Sequence, residues 1–150
     1  MGADDHLTGA LVTAARRMAN RPGAELIPLL DPPFCYGPWR GPRIDLLMLR
    51  TLVRGSRSRG ARAVVLSDIP DDDESLIAAL SCDGVLGAIA VGCGWLDVWL
   101  REEVARNATG HLMVKRNSSC VLPRVVIHDP MEIPRLWALF EEVAGAMTQV

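Results

Sequence analysis

The sequence predicts an α/β fold: a mainly parallel, flavodoxin- or Rossmann-like sheet of about five strands, with helices on both faces. Three observations predict it. Short apolar, β-branched runs alternate with segments whose apolar residues recur at helical spacing, the pattern of crossover units in a parallel sheet. Runs such as Val85-Leu86-Gly87-Ala88-Ile89-Ala90-Val91 carry no polar alternation, which suits strands buried on both faces. Three runs end in an acid followed closely by proline, namely Leu30-Asp31-Pro32, Ser67-Asp68-Ile69-Pro70 and His128-Asp129-Pro130. Acid and proline together mark strand-to-helix turns.

In chain order, Leu7, Leu11, Ala14, Ala15 and Met18 space a first helix, which Arg21-Pro22-Gly23 stops. Residues 25–30 read as the first strand. Residues 31–42 are too rich in proline and glycine for helix interior and form a loop. A helix over 43–55 sets Leu46, Leu49 and Val53 on one face, and 63–66 is a second strand. Asp71-Asp72-Asp73-Glu74 opens a short helix to about Leu80, and 85–91 is a third strand. Gly92-Cys93-Gly94 breaks it. Residues 95–108 are expected as a helix, 111–115 and 124–128 as strands, and 131–147 as the closing helix. No linker interrupts the 150 residues, so the expected organisation is one domain over 1–150, with an N-terminal helix (1–22) and a sheet core (24–148).

Composition narrows the function. Apolar residues make up 49% and charged residues 23%, an ordinary globular balance. A formal charge of −2 gives no long-range pull toward nucleic acid polymers or an anionic membrane. No apolar run approaches the ~18 residues of a membrane span, and the start is acidic, unlike a secretory signal. A cytoplasmic location with reduced thiols is therefore expected, in which the sequons at Asn107 and Asn117 stay unmodified. Cys35, Cys82, Cys93 and Cys120 form no CxxC pair and have no histidine at metal spacing, so a zinc site is not expected. Gly37 and Gly41 match neither dinucleotide nor P-loop spacing.

Ligands of parallel α/β sheets bind at the carboxyl ends of the strands. Asp68 and Asp129 stand there as helix caps or as ligand-facing acids. The run Asp71–Glu74 suits a helix N-terminus electrostatically, with a Mg²⁺ site as the alternative. In the expected helix over 95–108, Leu96, Leu100 and Val104 form the apolar stripe. Glu103 falls within that stripe, with Asn107 one turn later, whereas Glu102 points to the side. A carboxylate on a buried face is costly unless paired or functional, so Glu103 reads as an arginine's partner or as a nucleophile or acid/base. Cys93 is a thiol without a paired histidine, and His128 a strand-end histidine. Tyr36 and Trp39 either stack on a base or pack over their loop. Arg50, Arg54, Arg57, Arg59 and Arg62 form a basic run, read as a solvated helix face or a phosphate-binding edge.

In order, several segments resemble the nucleoside 2-deoxyribosyltransferase superfamily, which includes nucleotide N-glycosidases. The carrying pieces are Phe34-Cys35-Tyr36-Gly37 with Arg40-Gly41-Pro42-Arg43, then Leu49-Arg50 and Arg59-Gly60 leading into Val64-Val65-Leu66. Cys82-Asp83-Gly84-Val85-Leu86, Glu103-Val104-Ala105-Arg106 and the final strand through Asp129-Pro130 complete the match, which spans residues 30–144. Two features depart from the family. Asp97-Val98-Trp99-Leu100 replaces a glycine-rich stretch, and Ala105 replaces the glycine after the glutamate.

The resemblance implies cleavage of the N-glycosidic bond of a nucleoside 5′-monophosphate, by hydrolysis or deoxyribosyl transfer. Glu103 would attack the anomeric carbon, with Glu102 in its place in an alternative register, and Asp73 would orient the sugar or protonate the leaving base. Tyr36, Gly37, Trp39, Arg40, Gly41 and Arg43 would hold the nucleotide, with Asp68 and Gly92 at the strand ends completing the pocket. No cofactor or metal is implied, and a homo-oligomer is. Two rival readings stand beside it. Trp99-Leu100-Arg101-Glu102-Glu103 also resembles a stretch of TIR-like domains, which cleave NAD or serve as signalling scaffolds, though the Phe-x-Ser-Tyr opening of those domains is missing. The other rival is a non-catalytic α/β interaction module.

Overall fold

All seven residues of Val85–Val91 are buried, as an unbroken apolar run requires of a strand covered on both faces. This strand, β3, is the centre of a five-stranded sheet. Its other members are β1 (Ala24–Pro28), β2 (Arg62–Asp68), β4 (Leu96–Leu100) and β5 (Arg124–Ile127). The computed structural model describes residues 3–19, 21, 23–28, 46–68, 80–92, 94–108, 112, 114 and 123–148. The strands lie side by side in the order β1-β2-β3-β4-β5. β1, β2 and β3 run parallel, whereas β4 is antiparallel to both β3 and β5.

The sheet is therefore mixed rather than mainly parallel. The turn at 92–95 between β3 and β4 allows only a hairpin, since a parallel partner needs a crossover of a dozen or more residues. The order also lacks the reversal that creates a binding crevice in flavodoxin- and Rossmann-like sheets.

Helices cover both faces, as expected. Leu49 and Val53 of α2 (Leu46–Ser58) pack on Ile27, Ala63, Val65, Val85 and Ala88. The opposite face carries α1 (Ala3–Arg16), α3 (Glu102–Ala108) and α4 (Ile133–Thr148), packed on Leu26, Val64, Leu66, Ile89, Val98 and Ile127. In β2 the side chains alternate between these two cores, as strand geometry demands. In β3 the alternation slips, because Ala63 pairs with Val85 but Val64 pairs with Gly87. Leu86 is the extra residue of a β-bulge, which turns the following side chains over. Leu11, Val12 and Ala15 of the N-terminal helix α1 are buried in the same cluster as the sheet residues of this face. Trp137 and Phe140 of α4 meet edge-to-face at 5.4 Å, worth about 0.5–1.5 kcal/mol beyond their burial. The Trp137 Nε1 donates to the Ala24 carbonyl at 3.2 Å.

The largest correction concerns residues 95–108, which form β4 and then the short helix α3. Leu96 and Leu100 are four apart, a spacing that satisfies both a helix and a strand. The buried residue between them decides: Leu96, Val98 and Leu100 point inward while Asp97 and Trp99 are half-buried, a period of two. Leu112 and Val114, the described part of the strand expected at 111–115, are not in a strand. Of the helix expected from Asp71 to Leu80, only its end falls within the described residues, where Leu80 and Ser81 are helical.

Candidate strand-end site

Parallel pairing brings the carboxyl ends of β1, β2 and β3 to one edge of the sheet. Asp68 pairs with Val91, so it stands beside the turn that Gly92 opens. β5 points the same way as β3 and delivers His128 and Asp129 to this edge, while β4 begins there. Of the residues singled out in the sequence, Asp68 and Gly92 are thus brought together.

The turn after β3 is tightly constrained. A Cβ at Gly92 would lie 2.5 Å from Cε2 of Trp95, and Gly94 adopts φ 91°, a left-handed conformation natural to glycine. Thr8 of α1, 1% exposed, reaches this turn. Its Oγ1 donates to the Gly92 carbonyl at 3.3 Å and accepts from the Gly94 N–H at 2.6 Å. Thr8 was not expected here. Its only trace in the sequence is a hydroxyl on the apolar face of the first helix, one turn before Leu11.

Behind the turn, the Trp95 Nε1 donates to Asp97 Oδ2 at 3.1 Å, and the Arg124 guanidinium clamps Asp97 Oδ1, with Nε at 2.8 Å. The same guanidinium lies 5.5 Å over the Trp99 ring, a cation–π contact. Asp129 acts as a cap: its Oδ1 accepts from the Met131 N–H at 3.0 Å and opens the 3₁₀ turn Pro130–Glu132. His128 is exposed.

Glu103 lies elsewhere. Because β4 runs against β3, the chain leaves β4 at the opposite edge, beside the amino ends of the parallel strands. There the Arg101 Nη1 donates to the carbonyl of Val85, the first residue of β3, at 3.3 Å. Its Nε donates to Glu103 Oε2 at 3.1 Å. The Glu103 side chain is 47% exposed, and Glu102 is exposed as well. The inward-turned glutamate expected from a helix over 95–108 is thus an outward one. In the helix that does form, Val104, Ala105 and Ala108 face the core and Glu103 falls on the other side. Of the two roles weighed for Glu103, the ion pair with an arginine is the one present. Tyr36, Gly37, Trp39, Arg40, Gly41, Arg43, Asp73 and Cys93 lie outside the described residues.

In the basic run, Arg59 bonds Glu25 through Nε at 3.1 Å and Nη2 at 2.6 Å, and that hydrogen bonding raises its pKa above the ordinary arginine value. Among the described residues, no group of three or more His, Cys, Asp or Glu could hold a metal ion, and no helix is long and apolar enough to cross a membrane. Compared with known proteins, the chain matches no family model, no curated protein and no solved structure.

Proposed function

We propose that this chain binds a small phosphorylated ligand of the nucleotide class at the carboxyl edge of β1, β2 and β3. The observation that carries the reading is the pairing of Asp68 with Val91, which sets a carboxylate-bearing residue beside the fixed Gly92 turn. The segments leaving β1 and β2 at this edge contain Arg40, Arg43 and Asp73, whose residue types suit phosphate and sugar recognition. Cleavage of an N-glycosidic bond here would use Asp68 or Asp73 as its acid. Glu103, on the far edge in an exposed ion pair, is no part of the site.

The test is a panel of nucleoside 5′-monophosphates, nucleosides and NAD, followed by backbone amide shifts and by release of free base. The expected result is saturable binding of monophosphates that shifts Asp68, Gly92 and Gly94. Any base release is then lost in Asp68→Asn and kept in Glu103→Gln. Binding without release identifies a non-catalytic binding module, and nicotinamide from NAD identifies TIR-like chemistry. No shift at this edge with any ligand, or loss of release in Glu103→Gln, defeats the reading. Sedimentation of the same samples tests the homo-oligomer that the family resemblance implies, and cell fractionation tests the cytoplasmic location.

A further inference from the structure

Arg50, Arg54 and Arg57 recur along one face of α2 at i, i+4 and i+7, where like charges repel and weaken a helix. Arg57 is partly neutralised, its Nη1 donating to Asp83 Oδ2 at 2.9 Å. Arg50 and Arg54 have no ion pair among the described residues. All three arginines line a cavity of about 830 Å³, between α2 and the residues that lead into β3. Ser58, Ser81 and Asp83 supply further polar wall. The volume falls within the roughly 300–1,000 Å³ of small-molecule sites.

The turn beside the cavity packs closely on α2. Gly84 adopts φ 95°, and a Cβ there would stand 3.1 Å from both Arg57 Cδ and Val53 Cγ1. The bare backbone at this position lets the Arg57 stem lie close against the turn. The Gly84 carbonyl in turn accepts from the Ala63 N–H at 2.7 Å, which ties the turn to the sheet.

We infer that this cavity binds the phosphate ester or pyrophosphate group of a small molecule. Guanidinium forks match phosphate oxygens in pairs, and three of them on one wall suit a dianion better than a single carboxylate. Arg50 and Arg54 take the anion directly, while Arg57 exchanges Asp83 for it. The site lies against the amino end of β3, apart from Asp68 and Gly92, and does not depend on the ligand proposed for that other edge.

Titration calorimetry and amide shifts with inorganic pyrophosphate, ribose 5-phosphate and a single-stranded oligonucleotide test the inference on the full chain. Pyrophosphate is expected to bind saturably and to shift Arg54, Ser58, Ser81 and Asp83. Arg50→Gln and Arg54→Gln, both at exposed positions, each weaken binding about tenfold, the scale of one charge-assisted hydrogen bond. Asp83→Asn strengthens binding by freeing Arg57. Arg135→Gln removes the same charge from α4 on the other face and leaves binding unchanged. Absence of saturable binding overturns the inference, as does equal weakening by Arg135→Gln. Preference for the oligonucleotide over both small phosphates overturns it in favour of a polymer-binding face.

Discussion

The ring of Phe140 rests on the bare backbone of Gly87. A methyl group added at Gly87 would lie 3.2 Å from two ring atoms of Phe140 and 2.9 Å from the Trp99 carbonyl oxygen. The glycine thus lets α4 and β4 close on the bulged strand from two directions. Gly87→Ala is expected to destabilise the protein by about 1–3 kcal/mol, the usual cost of overpacking a filled core. Urea denaturation measures it. Adding Phe140→Leu recovers only part of the loss, because the Trp99 carbonyl remains in the way.

Thr8 makes a different kind of contact. Its hydroxyl serves the turn between β3 and β4 from a helix at the start of the chain, as donor to Gly92 and acceptor from Gly94. Thr8→Val keeps the shape and leaves both buried backbone groups without that partner, at about 1–3 kcal/mol per unsatisfied group. Thr8→Ser should retain most of the stability. Thermal unfolding of the two variants checks the contrast, and slower hydrogen exchange of the Gly94 amide in the serine variant is expected.

Val98 discriminates strand from helix over 96–100. In a helix with Leu96, Leu100 and Val104 inward, Val98 would face solvent and accept any residue. In the strand it is wholly buried. Val98→Lys is therefore expected to prevent folding, because it buries an unpaired charge. Trp99→Lys, one residue on and half-buried, costs far less. Circular dichroism of both proteins reads the difference directly.

Arg101 and Glu103 form an unequal pair. Glu103→Gln is expected to change stability by less than about 1 kcal/mol, since the carboxylate is half in water and its ion pair is screened. Arg101→Ala costs more, about 1–3 kcal/mol, because that guanidinium also satisfies the Val85 carbonyl and is only 26% exposed. Chemical denaturation at low and high salt separates the two, the small Glu103 effect fading with salt.

Much of the fold can be read from residue pattern, and the places where it cannot share one cause. β3 is legible at both ends because an all-apolar run sits between Gly84 and Gly92, each of which halts it. α2 and α4 are legible from long amphipathic repeats. β4 is not, because its Leu96–Leu100 spacing is common to both periods and a real helix follows at Glu102. The consequence reaches the chemistry: an inward Glu103 requires a helix that already runs through Leu96, whereas the helix here begins at Glu102. The antiparallel direction of β4 moved Glu103 to the far edge as well, and no local pattern encodes that direction apart from the shortness of the turn before it. Thr8 was invisible for another reason, since its two partners lie more than eighty positions away.

Every strand of this sheet has its sequence neighbour as its pairing neighbour. Assembly can therefore proceed by accretion, each new strand docking onto the last after a modest loop closure, which favours rapid folding. The seam between Trp137 and Ala24 departs from this pattern, joining residues 113 positions apart. During synthesis the side of β1 that receives α4 waits bare until α4 itself has emerged, so a truncation before α4 leaves the first strand as the sticky part of the nascent protein.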